Sequence, residues 1–98
     1  MSKTRCPTHP GRILREDSLP ALNMSVAAFA RALGVSRQMV HGILSERSSV
    51  SPEMALRLAA FFGNGPQLCI DMQMRHDLWQ AERRMAGHLP ARHEKQAA

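Results

Sequence analysis

The chain has 98 residues, 44% of them hydrophobic and four of them aromatic, a size and composition that predict one small all-α domain. Thirteen lysines and arginines against eight acidic residues give a formal net charge of +5, which suits a polyanionic partner such as nucleic acid. No apolar run approaches the roughly 20 residues that span a membrane, and no apolar segment follows the basic N-terminus as in a signal peptide, so we expect a cytoplasmic protein without a membrane partner.

The N-terminal part of the chain predicts an arm and a first helix. Residues 1–8 are expected to form a flexible arm, in front of a single domain over residues 9–84. The first helix is expected to begin near Thr8, with Pro10 in its opening turn, where the missing backbone N–H would have no helical partner in any case. Leu19–Met24 contains Pro20 and Asn23, so this segment is predicted to be a connection.

The segment from Ser25 to Leu44 carries the clearest functional pattern. Its first half has one apolar stripe at helical spacing, formed by Val26, Phe29, Ala30 and Leu33. Gly34 suits the left-handed residue that ends a helix, and the Ser36 hydroxyl can cap the helix that follows. That second helix has one apolar face and one polar, basic face. Two short helices joined in this way are typical of a DNA-binding helix-turn-helix.

The remainder of the chain predicts two more helices and a tail. Ser51-Pro52-Glu53 supplies a cap, a proline at the first helical position and an acid in the first turn, which predicts a fourth helix to about residue 62. A fifth helix, from about residue 66 to 84, carries more apolar residues than a small core needs. They either form a dimer contact or complete the core of the monomer. Residues 85–98 lose periodicity and are expected to be a disordered tail.

Four pieces of sequence, HPGRILRED, LGVSRQMV, SPEMALRLAAFFG and DLWQAE, together resemble the HigA-type antitoxins of the Xre/Cro, phage-repressor-like helix-turn-helix family. The resemblance covers roughly residues 9–82. It implies a five-helix fold that forms a homodimer, binds an inverted repeat in double-stranded operator DNA, neutralises a HigB-like mRNA ribonuclease toxin and represses its own operon. The chain departs from the family pattern at Met39, where threonine is usual, and at Ser45-Glu46, where Asn-Gly is common.

In helix-turn-helix proteins the first turn of the second helix meets base edges in the major groove. Arg37 can pair with guanine and Gln38 with adenine, each through two hydrogen bonds. Met39 can contact a thymine methyl group, and His41 can donate to a base or a phosphate. Contacts to DNA phosphates are predicted from helix N-termini and from the loop after the second helix, at Ser25, Ser36, Ser45 and Arg47.

Other functions are less well supported by the sequence. A phage-type or restriction-modification controller repressor without a toxin is the alternative, and an adaptor that has lost DNA binding is a third possibility. Cys6 and His9 have ligand-like spacing, but no second pair follows, so we expect no metal site. The chain has no phosphate-binding glycine loop and no catalytic constellation, so we expect no enzyme activity, no cofactor and no small-molecule ligand.

Overall fold

The structure, a computed structural model, describes residues 5–93 and contains helices but no strand within them. The first helix, α1 (10–22), consists of three consecutive helical segments without a break between them: Pro10–Ile13, Leu14–Ser18 and Leu19–Leu22. The other helices are α2 (Val26–Leu33), α3 (Arg37–Leu44), α4 (Pro52–Phe62) and α5 (Gln67–Arg84). The predicted five-helix, all-α fold is confirmed. None of the helices in the described range is long and apolar enough to cross a membrane.

The end of α1 differs from the prediction. The connection expected over Leu19–Met24 is wrong, because its first four residues are helical. The preceding turn is π-helical, and the N–H of Leu19 donates to the carbonyl oxygen of Leu14, five residues back. A widened turn moves the carbonyl groups away from the ring of Pro20, which would clash in a regular helix. The left-handed Asn23, with φ 54°, then ends the helix.

The helix-turn-helix formed by α2 and α3 matches its prediction closely. The Ser25 hydroxyl accepts from the N–H of Ala28 at 3.1 Å and starts α2. Gly34 ends α2 in the left-handed region, with φ 76°, which glycine adopts at no steric cost. The Ser36 hydroxyl then accepts from the N–H of Met39 at 3.1 Å and starts α3. Local capping chemistry therefore sets the boundaries of both helices.

All five helices contribute to one core. α1 packs on α3 and α5, α2 packs on α3 and α4, and α4 packs on α5. The buried apolar residues of this core are Leu14, Leu19, Phe29, Ala30, Leu33, Val40, Ile43, Leu44, Val50, Met54, Ala55 and Leu58. Phe29 lies at its centre, in edge-to-face contact with Phe61 at 5.4 Å between ring centroids. The two helices of the helix-turn-helix are thus fixed by packing on their inner sides.

α5 contributes to this core less than its apolar content predicts. The three apolar side chains Leu68, Met74 and Leu78 are 61%, 62% and 56% exposed. These three residues do not complete the core of the monomer, whereas Cys69 and Ile70 of the same helix are partly buried against it. The one fully buried residue of α5 is polar: Gln73, at 4% exposure.

The division of the chain into an arm, a domain and a tail stays a prediction. Residues 1–4 of the expected arm and residues 94–98 of the expected tail lie outside the described residues. α5 ends at Arg84, and residues 85–93 are exposed and contain no helix. At the other end, the carbonyl oxygen of Pro7 and the sulfur of Cys6 lie 2.9 and 3.4 Å from Nδ1 of His76 on α5.

Candidate nucleic-acid interface

The eight residues of α3 divide equally between a buried and an exposed face. The buried face consists of Val40, Gly42, Ile43 and Leu44. The exposed face consists of the four residues predicted to contact bases, Arg37, Gln38, Met39 and His41. The first three of these form the first turn of α3, and Met39 is 49% exposed although it is apolar. The structure therefore brings the predicted base-contacting side chains together on one surface.

Two of the predicted phosphate-contacting residues, Ser25 and Ser36, occupy equivalent positions at the N-termini of α2 and α3. Each has an extended backbone and accepts one helix N–H with its hydroxyl oxygen. A hydroxyl that accepts in this way still carries a hydrogen that it can donate. The N-terminus of a helix also carries partial positive charge and backbone N–H groups without helical partners. Both positions are chemically suited to a phosphate oxygen.

The other two, Ser45 and Arg47, are linked to each other. The Ser45 hydroxyl donates to the carbonyl oxygen of Gly42 at 3.1 Å and accepts from Nε of Arg47 at 2.8 Å. The Ser45 hydroxyl hydrogen is therefore already used inside the protein. Among the contacts of residues 5–93, Arg47 uses only Nε, so its two Nη groups are the donors that this pair can offer to DNA.

The loop after α3 folds back on the helix. The N–H groups of Arg47 and Ser48 both donate to the carbonyl oxygen of Gly42 at 3.0 Å. A Cβ atom at Gly42 would lie 2.6 Å from Oγ of Ser48, so glycine allows this close approach. The result is a groove beside α3 whose walls include four serines, Ser36, Ser48, Ser49 and Ser51, together with Gln38. Hydroxyl groups of this kind can donate hydrogen bonds to the phosphate oxygens of DNA.

Arg15 of α1 holds the C-terminus of α3, a role that the sequence did not reveal. Its Nη1 donates to the carbonyl oxygen of Leu44 at 2.6 Å and lies 3.3 Å from Oε2 of Glu46. A cation at a helix C-terminus is favourable because the carbonyl groups there carry partial negative charge. A hydrogen bond from Nη2 to Glu16 raises the pKa of Arg15 and lowers the pKa of Glu16. The contact with Arg15 also partly neutralises Glu46, an acid in the loop after α3 that would otherwise repel DNA phosphates.

His9 is the N-cap of α1, so the helix begins at Pro10, two residues after the expected start near Thr8, and Pro10 lies in the first turn as predicted. Its Nδ1 accepts from the N–H of Gly11 at 2.8 Å, so the neutral ring carries its hydrogen on Nε2. The ring also lies close to the backbone of Ser48, in the loop after α3. It also packs edge-on against the ring of His76, with 4.9 Å between centroids. His9 therefore joins α1 to this loop and to α5.

Burial of the His9 ring lowers its pKa below the ordinary value of 6.5, and the nearby His76 lowers it further. Below about pH 6.5 the unfolded chain binds a proton at His9 that the folded chain does not, so the folded state loses stability as the pH falls. We expect a lower unfolding temperature at pH 5.5 than at pH 7.5. His9→Asn keeps an acceptor for Gly11 and should reduce this difference. His41→Asn, at an exposed position, should leave it unchanged, and an unaltered difference in His9→Asn would contradict the assignment to His9.

Within residues 5–93 no group of three or more His, Cys, Asp or Glu side chains is placed to hold a metal ion. Nδ1 of His76 lies 2.9 Å from the carbonyl oxygen of Pro7, which can only accept, so Nδ1 carries the hydrogen and donates. Burial raises the pKa of the Cys69 thiol and keeps it protonated.

Comparison with known proteins agrees with this geometry. The family model described as helix-turn-helix matches residues 12–68, more than half of the chain. The structure of the antitoxin GraA is 39% identical and superposes with a TM-score of 0.82 over 90% of this chain and 99% of that one. The structure of GraA in complex with its operator gives a TM-score of 0.80 and 39% identity over 91% and 94% of the two chains.

Bacterial proteins also match by sequence. Virulence-associated protein I of Dichelobacter nodosus is 40% identical over 74 residues, which are 76% of this chain and 68% of that protein. The antitoxin HigA-1 of Vibrio cholerae is 33% identical over 85 residues, which are 86% and 80% of the two chains. The chain therefore belongs to the Xre-like helix-turn-helix family, a family of DNA-binding transcriptional regulators and antitoxins rather than enzymes, as its resemblance to the HigA-type antitoxins predicted.

Proposed function

We propose that this protein is an operator-binding antitoxin that acts in the cytoplasm. It binds an inverted repeat as a homodimer, represses its own operon, and neutralises a HigB-like mRNA ribonuclease toxin. The observation that carries the DNA-binding part is the exposed first turn of α3, where Arg37 and Gln38 stand beside the cap Ser36. The similarity to GraA, whose structure with its operator is known, supports a role of this surface in DNA binding.

Arg37→Ala tests the recognition surface. We expect affinity for the DNA upstream of the gene to fall roughly 5- to 150-fold, because one pair of hydrogen bonds to guanine is lost. Affinity for unrelated DNA should fall much less, so that the ratio of the two affinities drops. Fluorescence anisotropy titrations at two salt concentrations measure both quantities.

Arg75→Ala is the matched control, since it removes the same charge from an exposed position on α5. It should leave the affinity ratio at the wild-type value. The base-reading role of Arg37 would be wrong if the two variants behaved alike. Binding that depends on salt but shows no preference for the upstream DNA in the wild type would contradict operator recognition as a whole.

The exposed apolar residues of α5 support the homodimer. Met74 and Leu78 are four residues apart on one side of the helix and are 62% and 56% exposed. A second copy packed on this face would remove both side chains from water. To bind an inverted repeat, such a dimer must hold its two recognition helices about 34 Å apart, the spacing of successive turns of the major groove.

Leu78→Glu should therefore yield a monomer in sedimentation equilibrium. Its operator affinity should fall about 100-fold or more, because the two half-sites are no longer bound together. Leu56→Glu places the same charge on an equally exposed leucine of α4, 60% exposed, and should remain a dimer. A dimeric Leu78→Glu protein would place the interface elsewhere.

The toxin part of the proposal is tested by co-expression. A small basic ribonuclease encoded beside this gene should stop growth when expressed alone and should be harmless when this protein is present. The stand-alone repressor alternative predicts operator binding without such a gene. Purification of a complex between the two proteins would decide for the antitoxin.

A further inference from the structure

The inner side of α5 is polar where it meets the loop that follows α3. Oε1 of the buried Gln73 accepts from the N–H of Val50 at 2.8 Å, and its Nε2 donates to Oδ1 of Asp77 at 3.0 Å. Oδ2 of Asp77 in turn accepts from the hydroxyl of Ser49 at 3.3 Å. Two side chains of α5, linked to each other, therefore hold two consecutive residues of the loop. We call this arrangement the α5 clamp.

The loop in the clamp belongs to the candidate DNA surface. Ser48, Ser49 and Ser51 line the groove beside α3, next to the first turn that carries Gln38. At its start, the loop is tied to α3 through the carbonyl oxygen of Gly42, and at its end Ser51 caps α4. Between these two points, the N–H of Val50 donates to the side chain of Gln73.

Packing alone does not require these residue types. Val50 is 3% exposed and sits in the core, where an apolar neighbour of similar volume would fill the space beside it. The amide of Gln73 fixes the position of the Val50 N–H. The carboxylate of Asp77 fixes the orientation of the Ser49 hydroxyl. Both of these donors are used inside the protein, so the hydroxyls of residues 48–51 that remain for a phosphate are those of Ser48 and Ser51. Donors on a loop that is held in place lose less conformational freedom when they bind a phosphate than donors on a loose loop.

We propose that Gln73 and Asp77 are positioning residues for DNA binding, which hold residues 48–51 in the conformation that contacts the DNA backbone. This inference rests on the operator binding proposed above. It assigns to α5 a part in DNA binding although the helix lies outside the helix-turn-helix. Because phosphate contacts carry no sequence information, loss of the clamp should weaken binding to operator and unrelated DNA by the same factor.

Asp77→Ala and Asp77→Asn form a matched pair for the test. Both remove the negative charge, but asparagine can still accept from Nε2 of Gln73 and donate to the Ser49 hydroxyl. We expect Asp77→Ala to bind DNA roughly five- to tenfold more weakly than Asp77→Asn, at a temperature where both variants are folded. Gln73→Leu keeps the volume and should weaken binding by a similar factor, with faster hydrogen exchange at the Val50 amide.

Equal affinities for Asp77→Ala and Asp77→Asn would overturn the inference. A folded Gln73→Leu protein with wild-type affinity would do the same. If the wild type binds DNA but shows no preference for its operator, the proposed operator recognition fails. The comparison of Asp77→Ala with Asp77→Asn then still tests the inference, because the affinities of both variants are also measured on unrelated DNA. A wild-type protein without any affinity for DNA would overturn both.

Discussion

Gly11→Ala should destabilise the protein by about 3 kcal/mol or more, a large part of the roughly 5–15 kcal/mol available to a domain of this size. A Cβ atom at Gly11 would overlap the carbonyl oxygen of Ile43 and lie 2.8 Å from its carbonyl carbon. These are backbone atoms of α3, so no side-chain rotation can relieve the overlap. α1 and α3 would have to move apart, and this separation would also break the hydrogen bond from Arg15 to the end of α3. Urea unfolding followed by circular dichroism measures the loss.

Gly65→Ala is the control for this variant, since a Cβ atom at Gly65 meets nothing within 4 Å. Its free energy of unfolding should stay within about 0.5 kcal/mol of the wild-type value, as is usual for surface substitutions. A wild-type midpoint for Gly11→Ala would mean that α1 does not approach α3 as closely as the structure shows.

Phe29→Ala should be the most damaging substitution in the core, with a loss of about 3–5 kcal/mol. The side chain is 1% exposed, and its ring meets the rings of Phe61 and Phe62 at 5.4 and 6.2 Å. Removing it leaves a cavity under the helix-turn-helix and ends both aromatic contacts. In a domain with a small core, the protein should be largely unfolded at 37 °C in thermal melts.

Phe62→Ala separates the effect of burial from the effect of losing a phenyl ring. Phe62 is 36% exposed, so its loss should cost about 1 kcal/mol. Similar midpoints for Phe29→Ala and Phe62→Ala would contradict the central position of Phe29.

The parts of the fold that sequence predicted correctly are set by local chemistry. Ser25, Ser36 and Ser51 each accept the N–H group three residues later, so a capping rule places the starts of α2, α3 and α4. The end of α1 was missed because Pro20 ordinarily ends a helix, whereas here a π-helical turn accommodates its ring. That turn depends on how α1 packs against the rest of the chain, which no local pattern contains.

The supports of the candidate site were missed for the same reason. Nη1 of Arg57 donates to the carbonyl oxygen of Leu33 at 2.8 Å, over 24 positions in the chain. Gln73 reaches Val50 across 23 positions, and Arg15 reaches Leu44 across 29. Hydrophobic periodicity assigns the buried positions of a helix to apolar residues, so it does not predict that Gln73 is buried. The exposed residues of α3 were predictable because their exposure follows from the same periodicity.

The equal division of α3 has an evolutionary consequence. A helix of eight residues is too short to be stable alone, so its geometry comes from the scaffold through Val40, Gly42, Ile43 and Leu44. The side chains of Arg37, Gln38, Met39 and His41 are exposed and contribute little to that packing. Substitutions at these four positions can change the preferred DNA sequence at small cost to folding. Duplicated copies of such a gene can thus diverge to regulate different promoters while the inherited framework stays the same.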